Sequence, residues 1–292
     1  MISIIIPCYN EEESIGGLLE NISMFLRREH IEGEVIVVDD SSSDRTAEIA
    51  NTYDVQVLRH PRQLGYGAAL KTGIYNAKGE IIIFLDGDGS YPVNEIKAFI
   101  EQLNNFDLVI GNRSRTHHAI KRRFGNYLFA IAVSYIVGKK VSDPTSGMRA
   151  MKREVSLLFD HLTDGFSFSA SSTIEAARHG FRFVEIPIPY YKRKGTSKLS
   201  PLKDGLKIAF LVLRLTVEYA PLKVFFPIGL SVLLSGLFFT IYSVLLQKNI
   251  TDLDVLVLVT GLQIIIFALF SDLVVRRLER FEKAIIRLKR SF

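Results

Sequence analysis

Cysteine occurs once in the 292 residues and tryptophan not at all. The lone Cys8 excludes an internal disulfide framework and a cysteine-built zinc cluster, and it fits a reducing compartment. Any metal must therefore sit on oxygen or histidine, and His117, His118 and His161 show no ligand spacing. Net positive charge is confined to one stretch. Residues 276–292 carry seven Lys/Arg against two Glu and so account for the whole net charge of +5, which argues against a spread nucleic-acid-binding surface. Nor does the start resemble a targeting signal: Met1 to Ile6 has no basic residue, and its apolar run stops at Pro7, so it reads as a first strand.

The chain is 48% hydrophobic and 23% charged, with a mean hydropathy of +0.21. Neither a disordered nor a wholly intramembrane protein has this balance, whereas a soluble domain joined to membrane segments does. Two apolar runs, 224–246 and 255–275, supply those segments; the second is interrupted only by Gln263 and Asp272. A bilayer core of ~30 Å needs about 20 helical residues, so both runs are long enough to span it. The linker 247–254 has one Lys against Asp252 and Asp254, while Lys223 and the Arg276, Arg277 and Arg280 cluster flank the hairpin outside. The positive-inside rule then predicts an integral membrane protein of two spans with the catalytic part and both termini cytoplasmic. Upstream, 201–222 is an amphipathic interfacial segment. Leu202, Leu206, Ala209, Phe210, Leu213 and Val217 recur at helical spacing beside Lys203, Lys207 and Arg214.

Up to about Arg113 short β-branched runs alternate with helical patterns. Strands are expected at 2–6, 34–38, 55–58, 80–85 and 107–110, with helices after 13, 43, 66 and 92. This is the pattern of a mostly parallel α/β sheet covered by helices, whose sites lie at the carboxyl ends of strands. Those ends read Pro7-Cys8-Tyr9-Asn10-Glu11, Asp39-Asp40-Ser41 and Asp86-Gly87-Asp88-Gly89-Ser90. One acid at a strand end is usually a helix cap or loop residue; three acidic strand ends in one sheet point to a site. Asp86 and Asp88, one residue apart in a glycine-flexed turn, suit Mg²⁺ or Mn²⁺ shared with a diphosphate. An EF-hand is excluded, because Tyr91 and Lys97 stand where its Gly and bidentate Glu belong. Gly65-Tyr66-Gly67-Ala68-Ala69-Leu70 is a weak dinucleotide fingerprint, ending in Leu70 and set off from its strand by an Arg/Gln loop.

Taken with Gly111-Asn112-Arg113, with Ser142-Asp143-Pro144-Thr145-Ser146-Gly147-Met148-Arg149 and with Arg193-Lys194-Gly195-Thr196-Ser197-Lys198, these motifs resemble family 2 glycosyltransferases. The resemblance covers about residues 1–200 and is nearest to the polyprenol-phosphate (dolichol-phosphate) mannose or glucose synthases. It implies a GT-A-like catalytic domain at 1–200, followed by the segment 201–222, the spans within 223–275 and a basic cytoplasmic tail at 276–292. It also implies that Pro7, Tyr9, Glu11, Asp39 and Asp86 bind the nucleotide-sugar. Asp86 and Asp88 would bind the metal, with Ser90 where many relatives have a glutamine near it. Serines in 165–171 replace acids common in the family, which leaves the sugar open.

Breaking a sugar–diphosphate bond requires neutralising the leaving charge, typically the largest catalytic contribution. A lipid monophosphate has its second pKa at ~6, so near neutrality it is largely a dianion and a strong base is dispensable. Cations are needed instead: Arg113, Arg123, Arg193 and Lys198, with Ser197, are the candidates for holding the acceptor phosphate. Arg193 and Lys198 flank Gly195 and Ser197 in a segment that reads as a mobile loop closing over phosphates. Asp143 precedes Pro144, where an Asx-turn is the structural explanation; the resemblance makes it the group that orients or partly deprotonates the acceptor, with Asp88 and Arg123 beside it in catalysis. The reading is inverting transfer of a hexose from a nucleotide-sugar (GDP-mannose or a UDP-sugar) to a polyprenyl monophosphate at the cytoplasmic face. Partners are thus the donor, the lipid acceptor and the bilayer, with no nucleic acid, and the membrane helices leave room for an oligomer. Alternatives are a non-catalytic nucleotide-binding membrane scaffold, or a transferase for another lipid or polysaccharide acceptor. Processive synthases carry a Gln-x-x-Arg-Trp motif that a chain without tryptophan cannot have.

Overall fold

The computed structural model describes the backbone of residues 1–113, 120–165, 167–191 and 201–290, and the side chains of all of these except 120–126, 201–209, 247, 279 and 282–290. In chain order the first half runs β1 (Ile2–Cys8), α1 (Ile15–Arg28), β2 (Gly33–Asp39), α2 (Thr46–Ala50), β3 (Gln56–Arg59), α3 (Tyr66–Asn76) and β4 (Ile81–Phe84). It continues with α4 (Ile96–Gln102), β5 (Leu108–Asn112), α5 (Ile120–Val137), β6 (Arg149–Lys152), α6 (Arg153–Ser156), α7 (Phe168–Arg178) and β7 (Phe183–Pro187). Three helices close the chain: α8 (Pro201–Tyr219), α9 (Pro221–Tyr242) and α10 (Asp252–Arg290). Contacts divide it into two compact units, Met1–Ala209 and Phe210–Phe292.

The first unit is built on a seven-stranded sheet of order β3-β2-β1-β4-β6-β5-β7. β1 is buried along its whole length, as a strand covered on both faces must be. Pro7 is tolerated there because it lies beyond the last register pair with β4, Ile5 with Phe84. On one face Ile4, Ile6, Ile83 and Leu85 pack with Leu18, Ile22 and Phe25 of α1 and with Ile96 and Phe99 of α4. On the other, Ile5 lies so close to Gly73 of α3 that a Cβ there would collide with it. Phe84 meets Phe168 of α7 with ring centroids 6.3 Å apart.

The five strands expected from sequence are present with ends shifted by one or two residues, and β6 and β7 are additional. β6 is antiparallel to β4 and β5. Its leading end, where Arg149 pairs with Phe84 and Ile110, therefore lies at the edge where the parallel strands finish. Residues 142–148 are thereby delivered to the same edge as the acidic turn.

In the second unit α9 runs on into a π-helical turn, Ser243–Gln247, and Lys248 adopts a left-handed conformation (φ 54°) before α10. Gly229, Gly236 and Gly261 sit where a Cβ would press on the facing helix, 2.8 Å from Ile265, 3.0 Å from Leu258 N and 2.5 Å from Leu233 N. Such close small-residue packing suits a helix pair in lipid. Large side chains such as Phe238, Leu245, Leu256 and Phe270 point away from the pair. By length and composition 221–246 and 252–278 are two apolar helices able to cross a membrane. The basic tail is not a separate element: α10 continues through it to Arg290.

Candidate active site

The loops after β1 and β2 hold each other. Asn10, in a left-handed conformation (φ 54°), takes a hydrogen bond on its side-chain oxygen from Ser43 N at 2.8 Å, while its own N–H donates to Ser42 Oγ at 2.9 Å. Glu11 N donates to Thr46 Oγ1 at 2.8 Å, and Ser14 Oγ donates to the Glu11 carboxylate at 3.2 Å and to the Gly87 carbonyl at 2.9 Å. Tyr9 and Glu11 are half-buried, and Asp39 is fully buried. Asp39 accepts from Ser42 N at 3.1 Å and has Arg59 Nε 3.1 Å from its other oxygen. The adjacent Asp40 is structural: it accepts from Leu64 N, Gly65 N and His60 at 2.8–2.9 Å and so fixes the loop into α3.

α3 begins against residues 163–165. Gly67 N donates to the Asp164 carbonyl at 2.8 Å, and a Cβ on Gly67 would collide with the Thr163 carbonyl oxygen. Gly65 has φ 111° and is pressed by the same Asp164 carbonyl. The glycines of the weak fingerprint are thus required by a protein loop pressed against the start of α3.

Asp86 and Asp88 follow β4. Asp86 accepts from the Tyr66 hydroxyl at 3.0 Å; burial and then the Asp86 charge push that hydroxyl's pKa well up, so it remains a donor. Gly147 backs onto the Asp86 carboxylate so closely that a Cβ would collide with both oxygens. Asp88 is 8% exposed and accepts from the Ser90 N–H and hydroxyl. Ser90, fully buried, therefore supports Asp88. Among the described residues no three His, Cys, Asp or Glu side chains gather as a complete metal cage. Two hard carboxylates with the Gly147 cradle fit a divalent cation whose remaining ligands come from substrate phosphates and water.

Across the edge, Arg113 and Asp143 form one unit. Arg113 donates from Nε to Asp143 Oδ2 at 2.7 Å, from Nη2 to Oδ1 at 2.8 Å and from its backbone N to Oδ2 at 3.0 Å. It also donates to Thr145 Oγ1 at 2.9 Å and to the Tyr91 hydroxyl at 3.1 Å. Burial works against this cation, but Tyr91 and Asp143 outweigh burial and raise its pKa. Tyr91 in turn accepts from Gly147 N at 2.8 Å, so one hydroxyl bridges the acceptor-side arginine and the glycine behind Asp86. Glu185 of β7 anchors the segment by accepting from Ser142 N and Asp143 N at 2.7–2.9 Å.

The structure thus brings Asp39, Asp86, Asp88, Arg113 and Asp143 to one edge of the sheet, together with Tyr66, Tyr91 and Glu185, which no spacing in the chain singles out. Arg193, Ser197 and Lys198 lie outside the described residues, as does the side chain of Arg123 on α5.

Comparison with known proteins places the chain in a family. Residues 3–158 match the model for glycosyl transferase family 2, and residues 220–276 match a GtrB C-terminal hairpin. The chain is 34% identical over 222 residues to a dolichyl-phosphate hexose transferase of Haloferax volcanii, covering 74% of this chain and 94% of that protein. It is 30% identical over 243 residues to an undecaprenyl-phosphate 4-deoxy-4-formamido-L-arabinose transferase of Pectobacterium carotovorum, covering 80% and 73%. Glucosyl-3-phosphoglycerate synthase of Mycobacterium tuberculosis, solved with Mn²⁺, UDP and glucosyl-3-phosphoglycerate, shares the fold at a TM-score of 0.59 and 21% identity over 74% of this chain and 78% of that one. With a matching family model over half its length and close relatives over most of it, the chain belongs to glycosyl transferase family 2.

Proposed function

We propose that this protein transfers a hexose, with inversion, from a nucleotide-sugar to a polyprenyl monophosphate at the cytoplasmic face of a membrane. The observation that carries the reading is the acidic turn at Asp86 and Asp88 set beside the Arg113–Asp143 unit at one sheet edge, in a chain that continues into two apolar helices. Relatives named for dolichyl- and undecaprenyl-phosphate sugar transfer support the acceptor class.

Pro7, Tyr9, Glu11 and Asp39 form the donor side. Asp86 and Asp88 would hold Mg²⁺ or Mn²⁺, which when bound neutralises charge developing on the leaving diphosphate; a protein of the same fold holds Mn²⁺ with UDP. Arg113, with Arg123, Arg193, Ser197 and Lys198 from their motifs, receives the acceptor phosphate. Because both Asp143 oxygens already accept from Arg113, Asp143 orients that cation, and the acceptor dianion attacks without a strong base. On α5 the exposed stripe of Tyr127, Ile131 and Tyr135, followed by Lys139 and Lys140, has a composition that suits a membrane surface.

The test is release of nucleoside diphosphate and labelled glycolipid by the full-length protein in nanodiscs, over a panel of nucleotide-sugars with polyprenyl phosphate and Mn²⁺ or Mg²⁺. Asp88→Asn should lower turnover by roughly 10²-fold or more, the scale of one lost preorganised electrostatic element. Nucleotide binding without release on any donor would indicate a scaffold instead, and full activity in EDTA would remove the metal.

A further inference from the structure

Arg149, the first residue of β6, is 1% exposed, and all its described partners are neutral. Nε donates to the Ser146 carbonyl at 3.0 Å and Nη2 to the Pro144 carbonyl at 2.6 Å. Nη1 donates to Ser172 Oγ at 3.0 Å and Thr173 Oγ1 at 2.9 Å. Among the described residues no carboxylate pairs with it. Burial lowers its pKa to about 10, which leaves it a cation at neutral pH. Asp143 and Glu185 act on it only at longer range, and a buried cation compensated at a distance is costly where a well-packed apolar side chain would serve stability as well or better. The reason for an arginine must lie in what its planar fork holds.

Two of its partners are the carbonyls on either side of Thr145, and Thr145 Oγ1 accepts from Arg113. Two residues after Thr145, Gly147 touches the Asp86 carboxylate and donates to Tyr91. The other two partners sit on α7, which is packed on the sheet through Phe168. One guanidinium therefore ties the segment that contacts both halves of the site to a rigid helix.

We infer that Arg149 is a positioning residue for glycosyl transfer: it fixes residues 143–147 so that the Arg113–Asp143 unit and Asp86 keep their mutual placement. This rests on the reading of the site given above. Lysine keeps the charge but presents its donors from one point, so it cannot serve four acceptors spread over two elements.

Arg149→Lys and Arg149→Met are compared with wild type in full-length protein in nanodiscs. Donor KM and binding of nucleoside diphosphate with Mn²⁺ should stay within about threefold while kcat falls by roughly 10²-fold, the effect of about 1 Å of misplacement. The lysine variant should recover less than about a tenth of that loss, because geometry rather than charge is missing. Adding Asp143→Asn to Arg149→Lys should cost little beyond the worse single variant, as expected when two residues act through one segment. A kcat for Arg149→Lys within about twofold of wild type, or losses that simply multiply, would overturn the inference. Should both Arg149 variants fail to fold, Ser172→Ala with Thr173→Val removes the α7 anchors while leaving Arg149 in place, at the cost of two bonds to the Ser169 carbonyl within the helix. It should lower kcat by about tenfold with donor binding unchanged, and an unchanged kcat would be decisive against. Hydrogen exchange of the peptide 143–148 reads the placement without any turnover: it should rise about tenfold or more in Arg149→Lys, and unaltered exchange there overturns the inference. A wild-type protein that transfers no sugar would sink the functional reading, while the exchange result would still decide the role of Arg149.

Discussion

Asp143 has both oxygens and its backbone N–H engaged, the oxygens by Arg113 and the N–H by Glu185. An orienting role predicts that Asp143→Asn lowers kcat far more than donor affinity. It also predicts that wild-type kcat is flat with pH once the acceptor phosphate is fully ionised, above its second pKa of ~6. A rise in kcat that continues well above that pH would instead identify proton transfer. A second titratable group bears on stability. Burial pushes Glu175 upward, but His161 and His179 outweigh it and hold its carboxyl down to about 2; His179 Nδ1 lies 3.3 Å and His161 Nε2 3.7 Å from it. A depressed carboxyl contributes stability that is complete above its ordinary value of 4.5 and is lost as pH falls toward about 2. Urea midpoints for wild type should therefore fall across that window, and Glu175→Gln should start lower at pH 7 and change less; parallel curves would refute the assignment. At this scale Asp86 and Asp88 were readable because two acids bracket a glycine at a strand end. Tyr66 and Glu185 were not, because each is a single residue whose partners lie far away in sequence.

At the scale of elements the legible parts were those with period. The strands from β1 to β5 and helix α1 follow from β-branched runs and an apolar stripe at Ile15, Leu18, Leu19, Ile22 and Phe25. β6 is four residues, Arg149 to Lys152, with no alternation, and its antiparallel direction comes from tertiary pairing with β4 and β5. The start of α3 is legible only in part, since the glycines that weakly imitate a cofactor loop serve the docking of residues 163–165. That account predicts opposite results for two substitutions of the same kind. Gly67→Ala forces a Cβ into the Thr163 carbonyl and should cost about 1–3 kcal/mol, as overpacking does. Gly17→Ala, in α1 with nothing within 4 Å of the new Cβ, should stabilise by about 0.5–1 kcal/mol through helix propensity. Thermal melts of both variants distinguish this from a cofactor role for Gly67, under which stability would be unaffected and nucleotide binding lost.

At the scale of the whole molecule, the proposed activity requires a water-soluble donor and a lipid acceptor to be served from one membrane side. The charge pattern is what motivates the proposed cytoplasmic side. Each Lys or Arg near an anionic surface contributes ~1 kcal/mol, and residues 276–292 concentrate the net charge of +5, whereas 247–254 carries one Lys and two Asp. The native thiol makes the topology directly measurable. Cys8 is buried, and burial raises its pKa well above the usual thiol value, so it should resist a membrane-impermeant maleimide. Glu20→Cys on the exposed side of α1 and Lys248→Cys in the short connection between the spans each add one accessible thiol to this quiet background. In sealed vesicles of cytoplasmic-side-out orientation Glu20→Cys should label and Lys248→Cys should not; opening the vesicles with detergent should make both react. Labelling of both from outside sealed vesicles would mean that the helices do not cross, and the acceptor would then have to reach Asp88 and Arg113 by leaving the bilayer.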